Sequence, residues 1–407
     1  MRIGLVTGEY PPMEGGVGAF TEQLARALAG RGHVLHIITA RSARPVDAPR
    51  RASALFQPYD LGFAQLHARV GRWRWPSLAT VADIVLRYDL EVVNLQYQAA
   101  AYNMRAVAIH FLPWRLRGVA PTVVTFHDLR VPYLFPKAGG LREAAVRGLA
   151  RRATGGIATN AADLAQLASW TDAPLCRIPI GSNIEAREPN HVEIEEVRVG
   201  LGLPAGAVLL GYFGFLNETK GADTLIDALA RLDGRTHLVF IGGQTGASDP
   251  QNNETFLRGL REQIDRLGLA GRVHWTGFLP PGRVSAHLAA ADLLVMPYRD
   301  GVSLRRGTLM AALAHGRPLI TTAPGEADAA PELRHGDNVW FVPPGDPAAL
   351  AAAVSTLSAD PAARARLGHG AREVAGLFDW GAIAGQTADF YGVLVSSDGG
   401  RTLTQRR

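Results

Sequence analysis

Two adjacent arginines, Arg305 and Arg306, stand where a polar loop is predicted to turn into a helix. Ser303 is a good N-cap residue, so the pattern predicts a helix over 304–314 with both arginines in its first turn. Cations there oppose the helix dipole at a cost of roughly 0.3 to 1 kcal/mol each, unless an anion lies in front of them. With free backbone N–H groups, the two guanidinium groups would form a diphosphate-sized anion site. The alternative is that Asp300 or another carboxylate neutralises them, or that both side chains reach into water.

Three glycines, Gly15, Gly16 and Gly18, precede the first predicted helix. Because glycine has no side chain, the backbone of this turn can approach a phosphate closely while the helix N-terminus faces it. Glycines also serve tight turns, so a purely structural role is the alternative. Gly15 and Gly16 are candidate phosphate-binding residues.

Ionisable side chains are also predicted just after apolar strands. His127 ends one strand and precedes Asp128, so a neutral imidazole there can hydrogen-bond a ligand hydroxyl, the alternative being a bond to loop backbone. Lys220 precedes a helix predicted over 222–232, where its ammonium group can meet a phosphate oxygen unless it is a solvated surface lysine. Asn217, in the same loop, can bind a hydroxyl group.

A further turn, Gly277-Phe278-Leu279, follows another predicted strand. Its backbone amide groups can read the edge of a nucleobase. The alternative is an ordinary turn after a strand.

Short apolar runs alternate with longer stretches of helical period, which is typical of parallel sheets covered by helices on both faces. The predicted strands are 3–7, 34–39, 92–95, 123–126 and 156–159 in the first half, and 208–213, 238–241, 273–276, 293–296, 318–321 and 339–342 in the second. The sequence therefore predicts an α/β fold of two doubly wound, Rossmann-like domains. We place them at 1–187 and 195–376, with a terminal helix at 377–395. Because open α/β sheets bind ligands at the carboxyl ends of their strands, we expect both sheets to face a central cleft.

The overall composition narrows the class of protein. A chain of 407 residues exceeds the size of one hydrophobic core, and its 42 basic and 37 acidic residues give a net charge of +5. It contains neither a lysine-rich tract nor an aromatic-basic motif, so we expect no nucleic-acid partner. Cys176 is the single cysteine, the N-terminus starts as a strand, and no apolar run is long enough to cross a bilayer. We therefore expect a cytoplasmic protein.

Several motifs make the sequence similar to the GT-B glycosyltransferases, specifically the retaining, nucleotide-sugar-dependent enzymes of family 4. The motifs lie in the order of that family and are residues 9–18 (EYPPMEGGVG), 125–128 (TFHD), 178–181 (IPIG), 213–221 (FGFLNETKG), 277–279 (GFL) and 300–318. The segment 378–380 (FDW) and the apolar-periodic stretch after it resemble the terminal segment that crosses back to the first domain in that fold. The resemblance covers nearly the whole chain.

The resemblance implies transfer of a sugar from a nucleoside diphosphate, with the donor held mainly by the second domain and the acceptor by the first. It assigns donor binding to Gly15, Gly16, Asn217, Gly277, Phe278, Leu279, Ser303, Leu304, Gly307 and Thr308. We assign catalysis to His127, Lys220, Arg305 and Arg306.

Two departures from the family pattern concern the charges around the donor. The family usually has two glutamates eight positions apart, and Ser303 and Ala311 stand at those places. It also usually has an arginine where this chain has Phe215. We infer that the charge lost at 215 is supplied by Arg305 and Arg306, which would hold the diphosphate from a different angle.

The sequence thus predicts a hexosyltransferase that retains configuration and acts on a glycan or lipid-linked acceptor, in glycan, polysaccharide or glycolipid synthesis. Histidines are scattered and no DxD motif is present, so we expect neither a metal nor a cofactor besides the nucleotide-sugar substrate. Two other hypotheses remain. One is a catalytically silent scaffold that binds a nucleotide or a partner protein, supported by the loss of both glutamates. The other is a sugar phosphorylase or epimerase on the same fold.

Basic and aromatic residues gather in the first domain at 72–75, 114–117 and 142–152. A face that mixes tryptophan with arginine can dock on anionic lipid head groups, which predicts peripheral contact with the inner face of the membrane. The alternative is that these residues are partly core and partly solvated surface.

Overall fold

The structure, a computed structural model, describes residues 1–13, 15–45, 57–129, 139–182, 184–187, 190–243, 250–304, 306–325 and 330–402. Of residues 139–142, 250–252 and 398–402 it describes the backbone. The chain forms two compact units. Unit 1 comprises Met1–Gly181 and Trp380–Arg407, and unit 2 comprises Ser182–Asp379.

Unit 1 is built on an eight-stranded sheet. Its strands are β1 (Arg2–Thr7), β2 (Val34–Ala40), β3 (Tyr59–Asp60), β4 (Gln65–Val70), β5 (Val92–Tyr97), β6 (Thr122–Phe126), β7 (Gly155–Ala158) and β8 (Leu175–Arg177). In the order β3-β4-β2-β1-β5-β6-β7-β8, neighbouring strands are parallel except for β3 and β4. Central strands such as β5 and β6 are buried throughout, as expected for parallel strands covered by helices on both faces.

Helices of unit 1 cover this sheet. They are α1 (Gly16–Gly30), α2 (Trp75–Arg87), α3 (Leu112–Arg115), α4 (Gly139–Arg152), α5 (Ala161–Ala168) and, at the end of the chain, α13 (Trp380–Thr402). The rings of Phe20 in α1 and Trp380 in α13 lie 5.2 Å apart. A Cβ on Gly155 of β7 would lie 2.7 Å from Leu394 Cδ1, so glycine at this position lets α13 approach the sheet. The last helix is therefore part of the core of unit 1.

Unit 2 is built on a six-stranded, all-parallel sheet. Its strands, β9 (Val208–Phe213), β10 (Thr236–Ile241), β11 (Val273–Trp275), β12 (Leu293–Met296), β13 (Leu319–Thr322) and β14 (Trp340–Val342), run in the order β11-β10-β9-β12-β13-β14. Its helices are α6 (His191–Gly200), α7 (Ala222–Leu229), α8 (Pro250–Arg266), α9 (Pro281–Ala290), α10 (Gly307–Ala314), α11 (Pro347–Ala359) and α12 (Pro361–Gly376). Asp346 and Asp360 accept backbone N–H bonds at the starts of α11 and α12, which fixes where these two helices begin.

The predicted α/β class is confirmed, and every predicted strand is present with its ends displaced by at most two residues. Strands β3, β4 and β8 were not predicted. In β4 the apolar residues Leu66, Ala68 and Val70 alternate with polar ones, and this period of two was the available signal. The two compact units divide between residues 181 and 182 and between residues 379 and 380. The domain bounds at 187, 195 and 377 stay a prediction.

Candidate functional site

Two loops of unit 2 meet at the carboxyl edge of its sheet. One follows β9 and the other follows β12, the strand paired with β9. Gly221, in the first loop, has a φ of 69°, and a Cβ there would lie 1.9 Å from the carbonyl oxygen of Pro297 in the second. Glycine is required here for both its conformation and its size, and it lets the two loops touch.

Hydrogen bonds and ion pairs hold the same two loops together. The Arg299 amide donates to the Thr219 carbonyl oxygen at 2.8 Å, and the Thr219 hydroxyl donates to Asn217 Oδ1 at 2.9 Å. The Arg299 guanidinium pairs with Asp223 and lies 3.9 Å from Glu218. Arg299 therefore links the two loops. The side-chain oxygen of Asn217 accepts a hydrogen bond within its own loop.

Lys220 lies in the first loop, with its Nζ 5.9 Å from the centre of the Phe215 ring. Burial, followed by the positive charge of Arg306, lowers the pKa of Lys220 to about 8, against the opposing effect of Asp300. A Cβ on Gly214 would lie 3.5 Å from Lys220 Nζ and 3.0 Å from Thr308 Cγ2, so Lys220 lies beside the start of the helix that Arg306 precedes. Such a pair favours binding of an anion with more than one negative charge.

Arg306 is held by two contacts within its own loop. Its Cζ lies 3.9 Å from the centre of the Tyr298 ring, and its Nη2 lies 2.5 Å from Asp300 Oδ1. Tyr298 is buried, and burial raises the pKa of its hydroxyl, so the ring is a neutral, fixed face for the guanidinium. The pair with Asp300 corresponds to the neutralised alternative that the sequence left open. Arg305 lies outside the described residues.

The helix after this loop begins later than the sequence predicts. α10 starts at Gly307 with Arg306 as its N-cap residue, so the predicted helix from Leu304, capped by Ser303, is wrong. Val302 and Leu304 are both buried, and the Arg306 amide donates to the Ser303 carbonyl oxygen at 3.3 Å, so a separate turn precedes the helix at this place. Arg306 accordingly lies at the helix boundary and not within the first turn.

The first turns of α10 face the loop after β9. The Thr308 methyl group lies 3.0 Å from the position of a Cβ on Gly214, and Thr308 Oγ1 is 3.5 Å from the Tyr298 hydroxyl oxygen. Gly307 is the first residue of the helix, and it adds no side chain next to Arg306. Ala311, which the sequence resemblance aligns with a family glutamate, is fully buried. Thr308 thus lies between the two cation-bearing loops.

The turn at Gly277 lies at the end of β11 and is held from β10. Gly277 has a φ of 65° and forms a β-bridge with Gly242. The Thr276 hydroxyl accepts from the Gly242 amide at 3.1 Å and donates to the Gly277 carbonyl oxygen at 2.9 Å. Phe278 is 71% exposed, and Leu279 is half-buried. A well-fixed turn therefore presents an uncovered aromatic ring.

In unit 1, a carboxylate of the chain itself occupies the start of α1. Glu9 Oε1 accepts from the amides of Val17 and Gly18 at 2.9 and 3.2 Å. A Cβ on Gly15 would lie 2.1 Å from the Glu9 carboxyl carbon, whereas one on Gly16 would meet no atom within 4 Å. Burial raises the pKa of Glu9, and the two amide bonds oppose this. The helix N-terminus that was predicted to face a phosphate thus already binds an anion, and the phosphate role of Gly15 and Gly16 stays a prediction.

His127 follows β6 at the carboxyl edge of the sheet in unit 1. Its ring lies edge-on to Phe20 at 4.7 Å, and its Nε2 is 2.9 Å from Gln96 Oε1. Burial lowers the pKa of His127 to about 3, so the imidazole is neutral near pH 7. Because an amide oxygen only accepts, Nε2 carries the proton and Nδ1 is left as an acceptor.

The structure brings together part of the predicted set. Lys220, Arg306 and Thr308 form one cluster in unit 2, and the Gly277 turn lies at the same sheet edge. Sequence reasoning missed the Tyr298 ring beneath Arg306. The signal for it was its position two residues before Asp300, in the same predicted loop.

Comparison with solved structures identifies the class of fold. Sucrose-phosphate synthase from Thermosynechococcus elongatus superposes with a TM-score of 0.74 at 23% identity, covering 98% of this chain and 100% of that one. HepE from Anabaena in complex with UDP-glucose gives a TM-score of 0.70 at 22% identity, covering 97% and 100%. At these identities the likeness establishes the fold alone, and that fold is GT-B.

Family models identify the chain further. The model described as Glycosyltransferase Family 4 matches residues 14–185, and the model described as Glycosyl transferases group 1 matches residues 207–360. Across its length, the chain is 26% identical to D-inositol 3-phosphate glycosyltransferase from Corynebacterium urealyticum, covering 96% of this chain and 95% of that protein. The chain therefore carries two glycosyltransferase domains, one matched by each model, and it has the GT-B fold.

Two further findings concern the residues that the structure describes. In this part of the chain, no helix combines the length and apolar character needed to cross a membrane. Among the same residues, no group of three or more His, Cys, Asp and Glu side chains is placed to hold a metal ion. Metal independence stays a prediction.

Proposed function

We propose that this glycosyltransferase moves a hexosyl unit from a nucleoside-diphosphate sugar to an acceptor hydroxyl with retention of configuration. The observation that carries the proposal is that Lys220 Nζ lies beside the start of α10, which Arg306 caps: a Cβ on Gly214 would be 3.5 Å from Lys220 Nζ and 3.0 Å from Thr308 Cγ2. Two cations beside a helix start suit a diphosphate, which carries charge on both phosphoryl groups. The solved complex of HepE with UDP-glucose supports the same class of donor.

Bond cleavage between sugar and diphosphate leaves an oxocarbenium-like sugar and a leaving group that gains negative charge. Lys220 and Arg306 stabilise that charge, and preorganised donors contribute most where charge develops. Arg306 is preorganised by the Tyr298 ring, but it must exchange Asp300 for the diphosphate. Neutral His127 accepts a hydrogen bond from a sugar hydroxyl and orients the donor. In this proposal the reaction requires no metal ion and no other cofactor, because Lys220 and Arg306 stabilise the leaving group as a metal ion would.

The acceptor belongs to glycan, polysaccharide or glycolipid synthesis. A relative named D-inositol 3-phosphate glycosyltransferase supports a polyhydroxylated acceptor. An exposed aromatic patch in unit 1 supports a lipid-linked one: Trp75 is 57% and Trp114 is 58% exposed. The Trp75 ring lies 5.1 Å from Phe111, whose own ring has the Arg152 guanidinium 4.7 Å away. Tryptophan beside arginine suits the interface of an anionic membrane.

A donor screen followed by one substitution tests the proposal. UDP-, GDP-, ADP- and TDP-glucose are compared by thermal shift, since a ligand at about a hundred times its Kd stabilises by about 2.7 kcal/mol. With the best donor, Arg306→Ala should lower kcat/KM by roughly 10- to 100-fold, because a hydrogen bond to a charged group contributes about 1.5 to 3 kcal/mol.

Arg235→Ala is the control, because it removes the same charge from unit 2 at a side chain paired with Asp233 just before β10, away from the two loops. Equal effects of Arg235→Ala and Arg306→Ala would contradict a specific role for Arg306.

A second candidate is a catalytically silent GT-B scaffold that binds a nucleotide or a partner protein. Ser303 and the buried Ala311, at the places of the two family glutamates, favour it. Mass spectrometry separates the two hypotheses. Transfer or hydrolysis of the donor supports the enzyme, and nucleotide binding without turnover supports the scaffold.

A further inference from the structure

The carboxylate of Asp300 lies against the cation that is proposed to bind the diphosphate. Arg306 Nη2 is 2.5 Å from Asp300 Oδ1, and the two side chains are 18% and 48% exposed. The Tyr298 ring covers one face of the guanidinium at 3.9 Å, so an anion meets this group through its N–H groups. A carboxylate and a phosphoryl group accept from a guanidinium in the same geometry. Asp300 therefore occupies an N–H position that a phosphoryl oxygen of the ligand would otherwise take.

The backbone on both sides of Asp300 is fixed. Before it, the Arg299 amide donates to the Thr219 carbonyl oxygen at 2.8 Å. After it, Gly301 has a φ of 80°, and a Cβ there would lie 2.5 Å from the Gly325 amide nitrogen. A ligand can displace the carboxylate by rotating the side chain to another rotamer, but the backbone keeps the carboxylate nearby. A bound anion therefore has a like charge beside it.

The neighbouring carboxylates are directed at a different arginine. Asp223 pairs with the Arg299 guanidinium, and Glu218 lies 3.9 Å from the same group. Within the described residues of the two loops, Asp300 is the carboxylate that contacts Arg306. A substitution of Asp300 therefore changes the surroundings of one cation and leaves the link between the loops intact.

The charge of the nucleotide changes during the transfer. In the donor, the sugar esterifies the terminal phosphoryl group, so each phosphoryl group carries one ionised oxygen. When the bond between the sugar and that phosphate oxygen breaks, the electron pair stays on the oxygen, which then titrates with a pKa of about 6. Because Coulomb repulsion is proportional to charge, a fixed carboxylate disfavours the released diphosphate more strongly than the donor.

We propose that Asp300 is a specificity-determining residue that makes the cation site favour the donor over the spent nucleoside diphosphate and so promotes product release. This inference rests on the proposed function, since it takes Arg306 as the residue that meets the diphosphate. Asp300 does not touch the reacting atoms. It neutralises Arg306 before an anion binds, and it repels the anion that Arg306 then brings beside it.

Calorimetry with Asp300→Asn tests the role of the charge, because asparagine has nearly the same shape and is neutral. UDP-, GDP-, ADP- and TDP-glucose and the four matching diphosphates are titrated at pH 7.5. For the pair that binds most tightly, the variant should bind the diphosphate about tenfold and the donor about threefold more tightly than the unsubstituted protein does. Equal changes for donor and diphosphate, or no change for either, would overturn the proposal.

Inorganic pyrophosphate is a second probe, which does not depend on the nucleobase. Asp300→Asn should bind it about tenfold more tightly than the unsubstituted protein does, for the same electrostatic reason. An unchanged affinity for pyrophosphate would also count against Asp300.

Asp233→Asn is the matched control, because Asp233 pairs with Arg235 in the same unit just before β10, away from the two loops. It removes an equal charge and should leave all these affinities within about twofold, since solvent and salt screen a distant exposed charge. A tenfold gain in this variant would mean that the net charge of the protein, and not Asp300, sets the affinity.

Adding Arg306→Ala tests whether Asp300 acts through this arginine. Without the guanidinium the diphosphate is no longer held beside Asp300, so the gain from Asp300→Asn should fall below about threefold in this background. A full tenfold gain in the Arg306→Ala background would contradict the contact as the cause.

Transfer kinetics separate this inference from the proposed function. In Asp300→Asn, the nucleoside diphosphate should inhibit transfer about tenfold more strongly than in the unsubstituted protein. An active transferase in which Asp300→Asn leaves the preference for donor over diphosphate unchanged would keep the proposed function and refute the role of Asp300. A shifted preference in a protein without turnover would keep the role of Asp300 in nucleotide preference and refute the transferase.

Discussion

Lys220 is the site residue whose charge is most sensitive to its surroundings. Its pKa is lowered from 10.5 to about 8, first by burial and then by Arg306, while Asp300 opposes the shift. The ammonium form is therefore present below pH 8 and is lost as the pH rises through that value. A bound diphosphate favours the ammonium form and raises the pKa again, so proton uptake and nucleotide binding are linked.

Nucleoside-diphosphate affinity is thus expected to fall by up to about tenfold between pH 8 and 9, following the loss of one proton. Lys220→Arg keeps a charge throughout this range and should make the affinity flat. Calorimetry at pH 7, 8 and 9 measures both proteins. A fall of the same size in Lys220→Arg would assign the titration to another group.

At the scale of elements, Gly221 decides whether the loops after β9 and β12 can touch. Gly221→Ala should lower the free energy of unfolding by about 3 kcal/mol. An alanine Cβ would clash with the Pro297 carbonyl oxygen, and alanine also disfavours the positive φ of this position. It should also weaken nucleotide binding, because Lys220 precedes it directly. Urea denaturation and calorimetry provide the two readouts.

Gly268→Ala is the matched control for this substitution. Gly268 has a φ of 67°, and a Cβ at this position would meet no atom within 4 Å, so only the cost of conformation applies, about 1 kcal/mol. Its nucleotide affinity should match that of the unsubstituted protein. Equal loss of stability in both variants would mean that the contact with Pro297 contributes little.

The elements also show how far sequence reasoning reaches. A buried parallel strand such as 208–213 is predictable because its apolar run is too short for a typical buried helix, whereas β8 has only three residues and these are partly exposed. The start of α10 was misplaced because Ser303 has good capping chemistry locally, while burial of Val302 and Leu304 is decided by distant residues. The bond of Glu9 to the start of α1 likewise depends on how a loop folds back, which composition does not encode.

At the scale of the whole molecule, unit 1 is made of two segments that are far apart in the chain. Residues Met1–Gly181 form its sheet, and the helix that starts at Trp380 completes its core. Unit 2 is one continuous stretch, Ser182–Asp379. Unit 1 carries the exposed residues Trp75 and Trp114, so the proposed membrane contact is a property that this unit would confer on the whole protein.

The full-length protein is therefore expected to co-sediment with vesicles of phosphatidylserine and phosphatidylcholine, and less with phosphatidylcholine alone. Replacing Trp75 and Trp114 together with serine should reduce that binding by about tenfold or more, because each exposed indole loses its place in the interface. Leu86→Ser is the control, since Leu86 is 64% exposed on the same helix as Trp75. Vesicle binding that survives the double substitution would place the contact elsewhere.

The late position of α13 has a consequence for biosynthesis. A ribosome finishes all of unit 2 before it makes Tyr391, the partner of Asn94, which lies 297 positions earlier. Nascent unit 1 must therefore wait with the Asn94 amide and the Phe20 ring uncovered until translation ends. A premature stop between residues 380 and 390 would release a chain with a complete unit 2 and a unit 1 that lacks Tyr391, a natural substrate for chaperones.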